Sequence, residues 1–248
     1  MLSSHPPVIA LKDIQFSWKA GTPVLDIQEL IIRQGEKVFI RGPSGSGKTT
    51  LLGLLGGVLT PERGQVAVLG ADLNNLSPSK RDHFRAEHIG FIFQMFNLIP
   101  YLSVIENVTL PLGFADARKY NIIQTGVEEK QEAIRLLNHL GLTDPELIKR
   151  SVTELSIGQQ QRVAAARALI GKPDIIIADE PTSALDTDTR EAFIKLLFEE
   201  CEAAGSTLVF VSHDPTLEPL FDRSIPLHTI NRMSQHWLAE SSNEQETA

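Results

Sequence analysis

Apolar residues recur along this chain with two periods, and each period marks a different kind of element. Short apolar runs at residues 8–11, 14–18, 25–32 and 37–41, separated by "AGTP" and "RQGE", predict an antiparallel edge meander feeding one buried strand. Leucines at helical spacing over residues 48–59, ending in "TPERG", predict a helix with a proline and glycine stop. Residues 66–69 with "GADL" beyond them predict a short hairpin. Between about residues 97 and 151 the texture changes. "VIENVTLPLGF", "EEKQEAIRLLNHLGL" and "DPELIKR" are amphipathic, with Ile134, Leu137 and Leu140 on one face, and predict a helical lobe inserted in an α/β core. An alanine-rich helix (159–170), an apolar strand (175–178), a helix (189–204) stopped by Gly205 and a strand (207–212) follow. That alternation predicts a mostly parallel sheet with helices on both faces and an antiparallel β edge. The expected division is a single domain over 1–235, its core and β edge at about 1–94 and 157–235 and its helical subdomain at about 95–156. The stretch 236–248, with the polar "ESSNEQETA" from Glu240, is expected to be disordered.

Composition narrows the possible functions. A chain of 248 residues with 42% apolar content can bury a full α/β core. The formal charge of −8 argues against a dedicated nucleic-acid binder, which needs a basic face to displace phosphate counterions, so no nucleic-acid partner is expected. Cys201 is the only cysteine, so no internal disulfide and no cysteine metal cluster can form, and a reducing compartment such as the cytoplasm fits. No apolar run approaches the roughly 20 residues that span a bilayer, and "LLGLLGGVL" is short and interrupted by glycine. If the protein works at a membrane, another chain supplies the spanning part.

The candidate chemistry begins at "GPSGSGKTTLL", where glycines, a proline and serines interrupt a strand-to-helix passage. It fits G-x-x-x-x-G-K-[ST], with Gly42, Gly47, Lys48 and Thr49 at the fixed places. Glycines let the backbone wrap closely enough for successive N–H groups to face phosphate oxygens, and the helix start adds partial positive charge. Lys48 then suits the β and γ phosphates, and the Thr49 hydroxyl suits Mg²⁺. The second element is "IIIADEP", an apolar strand ending in two carboxylates, Asp179 and Glu180. Adjacent acids there are costly unless a cation is near. Asp179 suits a Mg²⁺ shell as the partner of Thr49, and Glu180 could polarise an attacking water, unless both are solvated acids opening a helix.

Taken in order, residues 42–49, Gln94, "LSIGQQQR" from Leu155, "DEPTSALD" from Asp179 and His213 resemble the ABC-type ATPases, the nucleotide-binding subunits of ABC transporters. The resemblance runs from about residue 8 to 227. "GFIFQMFNLIPYLSVIENVTLPL" and "QQQRVAAARAL" are most similar to the branch of macrolide exporters, lipoprotein-releasing complexes and cell-division ATPases. It implies a P-loop NTPase core of RecA-like type, with an antiparallel β edge and an inserted α-helical subdomain. It implies ATP and Mg²⁺ as ligands, the former held by Gly42, Pro43, Ser44, Gly45, Ser46, Gly47, Lys48, Thr49 and Thr50. Trp18 falls where the family stacks a ring on adenine, although a tryptophan there also suits an edge strand. Gln94 matches the glutamine that senses the metal and the attacking water, and joins Thr49 and Asp179 as a metal-shell candidate. Ser156, Gly158 and Gln159 match the signature segment that completes the ATP site of an opposite subunit, and equally read as the start of a capped helix. His213 falls at the switch histidine, and Asp186, preceded by Ser183, at the loop that communicates across the dimer.

One departure is Ile157, where the family has glycine. If that position needs positive φ, a β-branched residue is excluded; since Ser156, Gly158 and Gln159 are kept, the expectation is that a side chain is tolerated. The family implies a head-to-tail dimer with ATP between two copies, catalysis by Lys48, Gln94, Glu180 and His213, and a transmembrane permease or actuator on a separate chain. The expected location is the cytoplasmic face of the inner membrane. Rival readings are a soluble ABC protein of repair or translation and a degenerate regulatory cassette. About 107 residues between Lys48 and Leu155 without sustained heptads, and a single cassette, oppose the first; intact Lys48, Asp179, Glu180 and His213 oppose the second. The stretch after Asp222 is short for the regulatory domain of sugar-importer ATPases.

Overall fold

The computed structural model describes residues 6–183, 185 and 187–234. Asp186 and the tail 236–248 lie outside the described residues. In chain order the elements are β1 (Pro7–Lys19), β2 (Thr22–Arg33), β3 (Lys37–Arg41), α1 (Lys48–Leu55), β4 (Arg63–Val68), β5 (Ala71–Asp72), α2 (Pro78–His88), β6 (Ile89–Ile92) and α3 (Val104–Thr109). There follow α4 (Asp116–Ile123), α5 (Glu129–His139), α6 (Ile157–Leu169), β7 (Ile175–Asp179), α7 (Thr187–Ala204), β8 (Thr207–Ser212), β9 (Arg223–Pro226) and α8 (Leu227–Ile230). Contacts divide them into two compact units, one comprising the chain up to Asp82 with the chain from Phe210 on, the other residues 83–209.

The first unit carries the antiparallel edge that the short apolar runs predict. Its sheet has the order β2-β1-β4-β5, with Ile14 opposite Ile27 and Leu11 opposite both Leu30 and Val66. Residues 8–11 and 14–18 form one strand rather than two, because Asp13 takes a positive φ of 52° and passes the chain through a bulge without ending it. Opposite the bulge, a Cβ on Gly64 would collide with the carbonyls of Lys12 and Asp13, so only glycine fits. β3 pairs in parallel with β9, and Phe39 meets Phe210 and Phe221 at ring separations of 6.1 and 5.1 Å. Asn231, buried, ties the end of this unit to β2: its Oδ1 accepts from Asp26 N at 2.9 Å and its Nδ2 donates to Val24 O at 3.0 Å.

In the second unit β6 pairs in parallel with β7, Ile92 lying opposite Ala178. The alanines of α6 explain how closely it approaches β6: a Cβ on Gly90 would strike the Ala168 carbonyl. The helical stretch is confirmed as α3, α4 and α5, whereas "DPELIKR" holds only a short 3-10 turn at Leu147–Lys149. Arg118 closes the end of α6, donating from Nε to Ile170 O at 2.9 Å and from Nη2 to Ala168 O at 2.8 Å. Burial lowers its pKa to about 10, so it remains cationic at the negative end of the helix.

An ion-pair network joins α5 to α7. Arg135 donates to both oxygens of Glu132 and of Glu200, and His139 Nδ1 lies 2.6 Å from Glu200 Oε1. Burial alone would raise the Glu200 carboxyl, but the hydrogen bonds and charge of Arg135, with His139, outweigh it and hold the group below its ordinary value. A carboxyl depressed by folding contributes stability above its unfolded pKa of about 4.3 and loses it as pH falls through the lower folded value. Glu200→Gln is therefore expected to cost about 1 kcal/mol at neutral pH, a figure discounted for solvent screening at the half-exposed Arg135, and to converge on the native chain as pH falls through the depressed folded value. Denaturation midpoints measured from pH 3 to 8 check this; two curves parallel throughout would contradict it.

Candidate functional site

The loop between β3 and α1 lies within the first unit, and its geometry follows from its residue types. Gly47, immediately before α1, has φ of 97°, a left-handed conformation that Cβ-bearing residues avoid, and an added Cβ would approach Leu25 to 2.9 Å. A Cβ on Gly42 would come within 2.6 Å of Ser46 Oγ, so glycine also lets the loop close on itself. Lys48 is buried and donates from Nζ to the carbonyls of Gly42 at 2.7 Å and Pro43 at 3.0 Å, bridging the base of the loop. Pro43, Ser44, Gly45 and Thr49 are exposed around it, and nothing lies within 4 Å of where a Cβ on Gly45 would stand. The Ser46 hydroxyl is buried without a hydrogen-bond partner. A loop with open backbone, an orphaned hydroxyl and a held ammonium fits a polyphosphate.

Trp18 stands beside this loop. Its Nε1 donates to Thr50 Oγ1 at 3.3 Å, and Phe16 meets it edge-on with ring centroids 5.1 Å apart. The ring is nevertheless 64% exposed, so the edge-strand alternative does not bury it and a face stays open for a planar ligand. Thr50 itself is buried and its hydroxyl is engaged by the indole. His213 is exposed just beyond β8, in the same unit.

Gln94, Asp179, Glu180 and the signature residues lie in the second unit. Because Ile92 pairs with Ala178, the parallel strands β6 and β7 end side by side, with Gln94 exposed after one and Asp179 closing the other. Glu180 follows with φ of 45°, a conformation costing a non-glycine residue about 1–2 kcal/mol. Such strain at a carboxylate on a strand end makes Glu180 a candidate for function. Thr49, Gln94 and Asp179 offer a hydroxyl, an amide oxygen and a carboxylate, the hard oxygen donors that suit Mg²⁺. Among the described residues no group of three His, Cys, Asp or Glu could hold a metal ion.

The signature resolves the question of Ile157. Ser156 caps α6: its Oγ accepts from Gln159 N at 3.3 Å while Gln159 Oε1 accepts from Ser156 N at 2.9 Å. Ile157 is the first helical residue and has no positive φ, so β-branching meets no backbone penalty there, and its side chain is 58% exposed. Gly158 also has ordinary helical φ, and an added Cβ would meet nothing nearer than Leu185 at 3.6 Å. Within the chain a glycine there only weakens the helix, by about 1 kcal/mol relative to alanine.

Arg167 is a residue the sequence reading passed over. It donates from Nη1 to Asn97 O at 2.7 Å and from Nη2 to Phe96 O at 2.5 Å, and burial lowers its pKa. Phe96 and Asn97 have φ of 59° and 49°, so α6 holds two strained residues just after Gln94. Of the apolar residues that follow Gln94, Phe96 is buried, and Arg167 holds its carbonyl. Met95 and, further along the chain, Tyr101 are exposed, at 81% and 83%.

Comparison with known proteins gives these features a family. The sequence model of the ABC transporter family matches residues 25–183. An ABC transporter ATP-binding protein of Methanocaldococcus jannaschii is 41% identical over 223 residues, 89% of this chain and 93% of its own. The lipoprotein-releasing system ATP-binding protein LolD of Psychrobacter arcticus is 41% identical over 217 residues, 88% of this chain and 90% of its own. Among solved structures, a dimeric post-hydrolysis state of the M. jannaschii cassette bound to ADP and Pi superposes with a TM-score of 0.77 at 38% identity, covering 88% of this chain and 93% of that one. The ordered motifs, the left-handed loop glycine, the capped signature helix and these matches lead to one conclusion: the chain belongs to the ABC transporter family, among its ATP-binding, ATP-hydrolysing cassettes.

Proposed function

We propose that the chain is the motor subunit of a membrane complex, binding ATP with Mg²⁺, pairing head to tail with a second copy and driving a separate transmembrane chain. The observation that carries this reading is Gly158. No contact or φ in its own chain requires glycine, yet it sits at the exposed start of α6, beside the Ser156–Gln159 cap. A bare helix start is needed where a phosphate must approach the N–H groups closely, and the phosphate would be one bound at the P-loop of a second copy. The M. jannaschii relative forms a dimer of this family, and LolD names a lipoprotein-releasing system.

In this reading residues 42–50 cradle the phosphates and Trp18 stacks on the base, and Thr49, Asp179 and Gln94 would each offer an oxygen to Mg²⁺, which would supply positive charge to the phosphates. Glu180 polarises the attacking water and His213 contacts the γ-phosphate. No helix among the described residues is long and apolar enough to cross a membrane. Met95 and Tyr101, both exposed near Gln94, suit contact with an apolar segment of that partner at the cytoplasmic face. Domain limits of 1–235, with the helical subdomain at about 95–156, belong to the same proposal.

Tagged Glu180→Gln, captured from detergent-solubilised native cells in ATP and Mg²⁺, tests the partner. Mass spectrometry is expected to find a polytopic membrane protein, whose external domains would distinguish export, lipoprotein release and mechanical transmission. Recovery of soluble or ribosomal proteins alone would instead support the repair or translation reading.

A further inference from the structure

Among the described residues three side-chain amides are buried in this fold, and they are treated very differently. Asn107 accepts from Ile99 N at 2.8 Å and donates to the carbonyls of Ile99, Leu102 and Ser103. Asn231 accepts from Asp26 N and Met233 N and donates to Val24 O and Ser234 Oγ. Gln161 is 0% exposed, and neither its Oε1 nor its Nε2 has any partner. Exchanging the two atoms by a ring-like flip of the amide changes nothing, because both are bare.

Its neighbours on α6 show that the local geometry is not at fault. Gln159 completes the Ser156 cap, Gln160 Nε2 donates to Leu155 O at 3.0 Å, and Arg162 Nη1 donates to Leu140 O at 2.5 Å. Among these four residues of α6 and its start only Gln161 buries donors and an acceptor without return, and an apolar side chain of similar volume would suit this arrangement better. The residue lies one helical turn beyond Ile157, on the element whose start would meet the second copy's nucleotide.

We propose that Gln161 is a positioning residue whose amide finds its hydrogen bonds only in the ATP-engaged arrangement, so that pairing recovers free energy withheld in the nucleotide-free chain. Its partner there must offer both a donor and an acceptor, as a peptide group does. The inference rests on the head-to-tail pairing proposed above.

The test compares Gln161→Leu and Gln161→Met, which keep the volume and remove both polar atoms. Each is measured for thermal midpoint without nucleotide and for kcat and KM of ATP hydrolysis. Each is then combined with Glu180→Gln for the ATP-dependent dimer constant by sedimentation equilibrium. The expected result is a midpoint unchanged or raised, a dimer constant weakened about tenfold, and a lowered kcat with KM for ATP nearly constant. A purely structural role would move the midpoint and leave the dimer constant and the kcat-to-KM split alone. Midpoints that fall by several degrees in both variants would show the amide already bonded in the free chain, through a buried water, and overturn the proposal. So would a dimer constant that does not move. If Glu180→Gln alone stays monomeric in ATP, the pairing itself fails and takes this proposal with it; the midpoints still distinguish that failure from the other.

Discussion

Lys48→Ala is expected to weaken ATP binding by about 10–100-fold, the loss of one charge-assisted contact worth roughly 1.5–3 kcal/mol, and to lower hydrolysis by about 10²–10³-fold. Two physical effects combine in this figure. In the proposed site the ammonium would supply positive charge where a leaving γ-phosphoryl group develops negative charge, and little covalent chemistry exists to compensate for it. It also bridges the carbonyls of Gly42 and Pro43, so alanine releases the loop that Gly47 and Gly42 allow to close. Lys48→Arg separates the two contributions: it keeps the charge but cannot seat its planar fork on two converging carbonyls, so binding should fall less than in the alanine variant. Titration with a fluorescent ATP analogue together with a phosphate-release assay measures both. Undiminished affinity in Lys48→Ala would contradict the assignment of residues 42–49 as the phosphate loop.

The parts of this site that the sequence announces are those where a chemical requirement forces an unusual local composition. β3, β7 and β8 are apolar runs with one obvious reading, and the loop after β3 is rich in glycine because its backbone must curl. Hidden parts depend on contacts made far along the chain. α2 has no apolar stripe, and Glu87 is its only buried residue, so periodicity passes over it. Glu87 is buried because it accepts from Asp116 N and Ala117 N at the start of α4, which no local pattern reveals. Arg118 and Arg167 look like ordinary surface cations until the carbonyls they close are known. Phe96 reads as a surface apolar residue because the left-handed turn that buries it is held from α6, about seventy residues away. Ile157 goes the other way: it looks like a damaged signature until its helical φ shows that the glycine it replaces was not needed for backbone freedom.

Glu180→Gln is expected to keep ATP affinity, to lose about 10²–10⁴-fold in hydrolysis, and to accumulate as a dimer in ATP and Mg²⁺. The substitution preserves shape, hydrogen-bonding length and tolerance of the left-handed conformation at φ of 45°, so β7 and the turn after it should be undisturbed. What it removes is the carboxylate basicity proposed to polarise water, and a negative charge beside the proposed Mg²⁺ ligand Asp179. Both changes favour the state with ATP trapped between two copies: hydrolysis no longer releases it, and the γ-phosphate meets less repulsion. In the proposed pairing the bare helix start at Gly158 would then have a lasting partner, because the phosphate approaching it would not be consumed. Sedimentation velocity with ATP, with ADP and without nucleotide reads this directly. A dimer in ATP alone supports the exchange of ATP energy for pairing; a monomer under saturating ATP, with binding confirmed, would remove the second copy from the mechanism and leave Gly158 without an explanation.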